Sequence, residues 1–133
     1  MTYIEFAQLD NLSLIERLNS EYTYEVPDNV ESIVGMKQAA AILRNVTNAA
    51  SFITSVLSYV MVSKRIYKDR MDKAVKNGPE YIGYKQLYEM LVDKEKVIAN
   101  HLEAMNAVKT TTSRMVTIKQ EINKELMMTD AAV

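Results

Sequence analysis

Residues 39–74 read AAAILRNVTNAASFITSVLSYVMVSKRIYKDRMDKA, and the spacing of apolar side chains in this stretch decides the fold. Apolar residues recur alternately four and three positions apart over five heptads, with Lys64 as the charged exception. Such a heptad repeat is typical of a long helix that packs along its length against another helix. The repeat consists of Ala39, Leu43, Val46, Ala50, Ile53, Leu57, Val60, Lys64, Tyr67, Met71 and Ala74.

Residues that favour helix ends stand on both sides of this stretch. Pro27 precedes it, and Asp28 or Asn29 can serve as the N-cap because a short side-chain oxygen accepts from the free N–H groups of the first turn. Asn77-Gly78-Pro79 follows it as a stop signal, in which we expect Gly78 to take the left-handed conformation. The sequence therefore predicts a helix over 28–76 and a turn at 77–79.

A second long helix is predicted over 80–127, followed by a tail at 128–133. Its apolar repeat is weaker than the first, since polar residues such as Lys94 and His101 interrupt it. Two long helices joined by a short turn must run antiparallel. The predicted fold is all-α, a single domain over 1–133 that forms a long antiparallel helical hairpin.

A short N-terminal helix over 9–20 completes the predicted fold. Leu9, Leu12, Ile15 and Leu18 recur about three positions apart and form one apolar stripe. We define the acidic arm as residues 1–27, which contain this helix.

The first long helix carries more apolar residues than one stripe requires. A helix that is apolar over most of its circumference needs neighbours on several sides. We therefore expect the chain to assemble into a helical homo-oligomer, although the N-terminal helix alone could cover the surface. The predicted oligomer interface consists of Leu43, Val46, Phe52, Ile53, Leu57 and Val60.

The residue types argue against catalysis. The chain has no Cys and one histidine, His101, which lacks the spacing to a second ligand or to a catalytic partner. We expect His101 to be structural, and we predict a non-enzymatic protein without cofactor or metal. Met1–Asp10 lacks the basic start of a signal peptide, and the apolar stretch Ala49–Val62 is shorter than the roughly 20 residues of a membrane span. A cytoplasmic protein without a membrane contact is expected.

Charge is distributed unevenly although the net charge is only −1. Residues 1–31 hold seven acidic side chains and one basic side chain, whereas residues 32–76 hold eight basic and two acidic ones. A local basic surface attracts an anionic polymer even when the whole chain is nearly neutral.

The basic block lies at the end of the first long helix and is interleaved with tyrosine. The turn is expected to bring Tyr81, Tyr84 and Tyr88 close to it. Cations combined with exposed rings bind single-stranded nucleic acid, because charges follow the phosphates while rings stack on bases. The alternative is a solvated helix end, paired with Asp69 and Asp72. The predicted binding residues are Lys64, Arg65, Tyr67, Lys68, Arg70 and Lys73.

Three segments resemble a known family. Lys68-Asp69-Arg70-Met71-Asp72 resembles the Lys-x-Arg-apolar-Asp stretch of UvsY-type phage recombination mediators. Asp93-Lys94-Glu95 with Val97 resembles the start of that family's second long helix, and residues 113–119, SRMVTIK, resemble its C-terminal motif.

The resemblance implies a small helical protein that forms closed rings and binds single-stranded DNA. Such a protein helps load a recombinase onto DNA coated by single-strand-binding protein, in the host cytoplasm for a phage protein. Lys68 and Arg70 would then contact DNA, and the second long helix would pack the hairpin and the subunit contacts through Ile98, Met105, Met115 and Ile118. The alternative function is a protein-binding adaptor or inhibitor, or a phage assembly component, that acts through the acidic arm and the apolar helix faces.

Overall fold

The computed structural model describes residues 1–26 and 33–132, and within these ranges the side chains other than those of 33, 34, 119, 123 and 127–132. The prediction of an all-α fold is confirmed, since every regular element in the described ranges is helical. The elements are α1 (Tyr3–Ala7), α2 (Asn11–Glu21), α3 (Ile33–Lys73) and α4 (Pro79–Ala132).

The acidic arm contains two helices where one was predicted. α1 begins because the side chain of Thr2 accepts the Glu5 N–H at 3.1 Å. α2 begins in the same way, since the Asp10 carboxylate accepts the Ser13 N–H at 2.9 Å. A short polar side chain at the N-cap satisfies a backbone donor that the helix itself leaves free. The bounds of α2 agree with the prediction of 9–20 to within two residues.

The two long helices form the body of the molecule. At 1.5 Å per residue, α3 is about 62 Å long and α4 about 81 Å. They pack against each other: Lys64 pairs with Glu95, and nearer the turn the ring of Tyr67 lies beside Tyr84. The predicted start of the first long helix at 28–32 lies outside the described residues. At its C-terminal end the second long helix, α4, continues through Ala132, whereas a tail was predicted from residue 128.

The turn between α3 and α4 differs from the prediction in one conformational detail. Asn77 rather than Gly78 adopts the left-handed conformation, with φ of 64°. Gly78 serves a close approach instead, since a Cβ built there would lie 3.0 Å from the Val75 carbonyl oxygen. Pro79 is the first residue of α4, a position where the missing N–H costs no intrahelical bond.

The core lies where the arm packs onto the middle of the α3–α4 pair. α1 packs on α3, and α2 contacts α4. The arm contributes Phe6, Leu14 and Leu18 to the core, all at most 1% exposed. The long helices contribute Val46, Ala50, Ile53, Val56, Val60, Leu91, Ile98 and Met105.

This core corrects the predicted oligomer interface. Val46, Ile53 and Val60 are at most 1% exposed within a single chain, so a second copy has no access to them. Phe52 and Leu57 are partly buried against the same core, and Leu43 is half-buried. Helices of the same chain therefore cover part of the excess apolar surface of α3, while Val62 and Ile66 stay exposed.

α3 passes a simple test for a membrane span. Among the described helices, α3 over Gly35–Lys73 is long and apolar enough to cross a membrane, by length and composition only. Its most apolar window has a mean hydropathy of 1.3. One third of that window is buried inside the chain. A core helix of a bundle passes the same test, and α3 carries one side of the core described above.

Candidate nucleic-acid interface

The turn end of the α3–α4 pair brings cations and tyrosines from both long helices together. The Nζ of Lys68 lies 5.7 Å from the centroid of the Tyr88 ring, and the guanidinium of Arg70 lies 5.5 Å from that of Tyr67. The rings of Tyr67 and Tyr84 are 6.2 Å apart. We define the basic turn surface as Arg65, Tyr67, Lys68, Arg70, Lys73, Tyr84 and Tyr88.

Several of the predicted binding residues also form ion pairs. Lys68 pairs with Asp72 at 3.2 Å, and Lys73 with Asp69 at 2.9 Å, as the solvated-helix alternative expected. These pairs are exposed, and exposed pairs of this kind contribute about 0.3–0.5 kcal/mol, so a phosphate can replace the carboxylate at small cost.

The remaining predicted residues differ in availability. Lys64 is half-buried and paired with Glu95 between the helices, which sets it apart from the basic turn surface. Arg65 is exposed and has no ion pair or ring contact among the described residues. Tyr84 and Tyr88 complete the surface from α4, as the position of the turn suggested.

The acidic arm forms a second, oppositely charged surface. Its described acidic residues are exposed, while Phe6, Leu14 and Leu18 face the core. Within this surface Glu21 pairs with Arg17 at 3.7 Å. The exposed acidic residues are Glu5, Asp10, Glu16, Glu21 and Glu25.

Lys94 holds the arm in place at the end of α1. Its Nζ donates to the carbonyl oxygens of Ala7 at 2.8 Å and Leu9 at 2.6 Å. The last carbonyls of a helix lack intrahelical partners, and an ammonium group satisfies them well. Lys94 is 3% exposed, and burial lowers the pKa of its ammonium group although Asp10 opposes the shift.

His101 makes the equivalent contact at the end of α2. Its Nε2 lies 2.7 Å from the Tyr22 carbonyl oxygen, and because a carbonyl only accepts, Nε2 carries the hydrogen. This contact gives His101 a structural place, as the sequence suggested. Burial also raises the pKa of the Tyr22 phenol.

An aromatic cluster lies under the arm. Phe6 contacts Tyr22 and Phe52 edge-on, each at 5.6 Å between centroids, and Tyr22 stacks on Phe52 at 6.0 Å. Such pairs add about 0.5–1.5 kcal/mol beyond the area they bury. No local sequence pattern indicates this cluster, because its members come from α1, the end of α2 and α3.

No protein-family model, curated protein or solved structure matches this chain. The functional inference therefore depends on the residues and their arrangement.

Proposed function

We propose that this chain is a non-enzymatic single-stranded-DNA-binding assembly protein of the host cytoplasm, and that it acts as a phage recombination mediator. In this proposal the basic turn surface binds DNA, and the chain forms a helical hairpin that associates with further copies. Its protein partners would be a recombinase and single-strand-binding protein, as the resemblance to UvsY-type mediators implies.

The observation that carries the proposal is the meeting of cations and rings on two helices at the turn. Lys68 lies over Tyr88 and Arg70 over Tyr67, so charge for a phosphate stands beside a ring for a base. Base–aromatic stacking is worth about 1–3 kcal/mol per base and requires a base that is not paired. This combination favours single-stranded over duplex DNA.

The experiment measures binding of a short fluorescent single-stranded DNA oligonucleotide by anisotropy, from about 50 mM to about 200 mM salt. We expect affinity to fall steeply with salt, because bound phosphates release counterions. The double variant Lys68→Glu/Arg70→Glu should bind much more weakly, and its salt slope should be smaller by about 0.7 for each phosphate that the variant no longer neutralises.

The matched control is Lys37→Glu/Lys124→Glu. It changes the net charge equally at two exposed positions away from the turn. Unchanged binding by the turn variant, or an equal loss in the control, would overturn the proposal. Circular dichroism of both variants checks that helicity is retained.

A protein-binding adaptor or inhibitor is the second candidate function. It is favoured by the exposure of every acidic side chain of the arm over 1–26, because an acidic surface can dock onto a basic partner. Replacing Glu16 and Glu21 by Gln separates the candidates: loss of partner binding with DNA binding retained would favour the adaptor. A phage assembly component would instead form large particles in light scattering.

A further inference from the structure

The arm covers only part of the groove between α3 and α4. Three contacts mark the edge of the arm nearest the turn. The rings of Tyr3 and Tyr59 lie 6.5 Å apart, and the Asn11 side chain donates to the Met90 carbonyl oxygen at 3.4 Å. The third contact is that of Lys94 with the end of α1. Beyond this edge no hydrogen bond or ring contact joins a described residue of the arm to the long helices.

The groove itself continues past that edge. Residues seven apart lie on nearly the same face of a helix. Ile66 follows Tyr59 by seven positions, and Leu87 precedes Lys94 by seven, so both repeat the positions that contact the arm. Ile66 is 46% and Leu87 38% exposed, whereas Lys94 is 3% exposed.

The α4 side of this continuation is open at Gly83, which is exposed. Gly83 precedes Met90 by seven positions, and a Cβ built on Gly83 would meet no atom within 4 Å. We define the open groove as Ile66, Gly83, Leu87 and the flank of Met90, which is 39% exposed.

Positive charge stands where the open groove approaches the turn. Lys73 follows Ile66 by another seven positions, and Arg70 lies one turn of α3 beyond Ile66. Both side chains are exposed. The open groove is therefore apolar along its length and basic at its end.

We propose that the open groove binds an amphipathic helix with an acidic face from a protein partner. The arm already supplies the example within the molecule, since α2 places Leu14 and Leu18 in the adjoining part of the groove and leaves Glu16 and Glu21 in solvent. The new helix continues that interface, and its carboxylates meet Arg70 and Lys73. This inference goes beyond DNA binding and shares these two cations with it.

The probe is a fluorescent synthetic peptide of residues 1–26, which is acidic and carries the apolar residues of α1 and α2. Its binding to the full chain is measured by anisotropy, beside a scrambled peptide. We expect saturable binding that Leu87→Gln weakens by about tenfold, because the polar side chain forgoes apolar burial worth about 1.4 kcal/mol.

Ile82→Gln is the matched control. Ile82 lies on α4, is 48% exposed, and stands five positions before Leu87, on a different face of the helix. Equal weakening by both variants would overturn the proposal. Binding that Leu87→Gln leaves unchanged would also overturn it, because the peptide would then be replacing the arm of the chain.

Two further measurements separate this inference from DNA binding and from self-association. Leu87→Gln keeps all cations, so DNA affinity should stay unchanged while peptide affinity falls; the peptide result stands even if the chain binds no DNA. The mass of the unliganded variant by light scattering should equal that of the original chain. A lower mass would show that a second copy fills the groove and would overturn the assignment to a separate partner.

Discussion

The middle of the α3–α4 pair and its turn end are built from the same two helices, yet they differ in what covers them. In the middle, the arm buries Phe6, Leu14 and Leu18 against both helices. At the turn end the same faces are open, with Ile66 and Leu87 exposed beside cations and tyrosines.

The polar residues of the two regions show the same difference. In the middle, Lys94 and His101 donate to carbonyl oxygens at the ends of α1 and α2. At the turn end, Lys68 and Lys73 pair with carboxylates one helical turn away, in solvent. A buried cation needs a specific partner because desolvation is costly, whereas an exposed one can exchange its partner. The middle is therefore suited to hold the arm against the long helices. The turn end is suited to exchange its carboxylate partners for a ligand.

The largest expected effect comes from removing an aromatic anchor in the middle. Phe6→Ala should destabilise the docked arm by about 3–5 kcal/mol, since it leaves a cavity under α1. Hydrogen exchange of residues 1–26 measures the loss. Leu87→Ala at the turn end is the comparison, and we expect less than about 1 kcal/mol there because Leu87 is partly exposed already. Similar losses at both sites would contradict the distinction between the regions.

Replacing the buried cation should have the next largest effect. Lys94→Met keeps the volume but leaves the carbonyl oxygens of Ala7 and Leu9 without their donor, at a cost of about 1–3 kcal/mol. Limited proteolysis in the arm should become faster. Lys96→Met, an exposed neighbour on α4, serves as the control and should leave proteolysis unchanged. Equal protection in both variants would show that Lys94 does not hold the arm.

The coupling energies of ion pairs are expected to differ between the two regions by a smaller amount. A double-mutant cycle for Lys64 and Glu95, a half-buried pair between the helices, should give a coupling energy of about 1 kcal/mol. The same cycle for Lys73 and Asp69 should give at most about 0.5 kcal/mol, because both side chains are exposed. Chemical denaturation of the single and double variants provides the energies. A larger coupling at the turn end would reverse the comparison.

The smallest expected effect is a pH dependence specific to the middle. Burial lowers the pKa of Lys94 below its ordinary 10.5, so in the interval up to 10.5 the unfolded chain binds more protons than the folded one. Stability of the arm should therefore rise with pH across that interval. Tyr22, whose pKa burial raises above 10.0, acts in the opposite direction above pH 10.

The variant Lys94→Met isolates the contribution of Lys94, because it keeps Tyr22. Denaturation at pH 8 and at pH 9.5 should show the rise in the original chain, and Lys94→Met should lack it. A rise of equal size in the variant would assign the effect to other groups.

The sequence predicted much of the fold from local signals. The heptad repeat identified α3, and the Asn-Gly-Pro signal located the turn. The stripe of Leu9, Leu12, Ile15 and Leu18 located α2, but its buried face was predicted wrongly, since Leu12 and Ile15 are exposed while Leu14 is buried. α1 was not predicted, because a segment of five residues is too short to show a helical period. The basic turn surface was also predicted in outline, since its residues are close in sequence on each side of the turn.

What the sequence by itself determined is where α2 and the two long helices lie and which face of α3 is apolar, because both depend on spacing between near neighbours. The tertiary structure alone decided what covers the apolar surface of α3. It placed the arm over part of that surface. It also gave Lys94 its role, since the carbonyl of Ala7 is 87 positions away in the chain. No local period encodes a contact over that separation, because it depends on how three helices pack against one another.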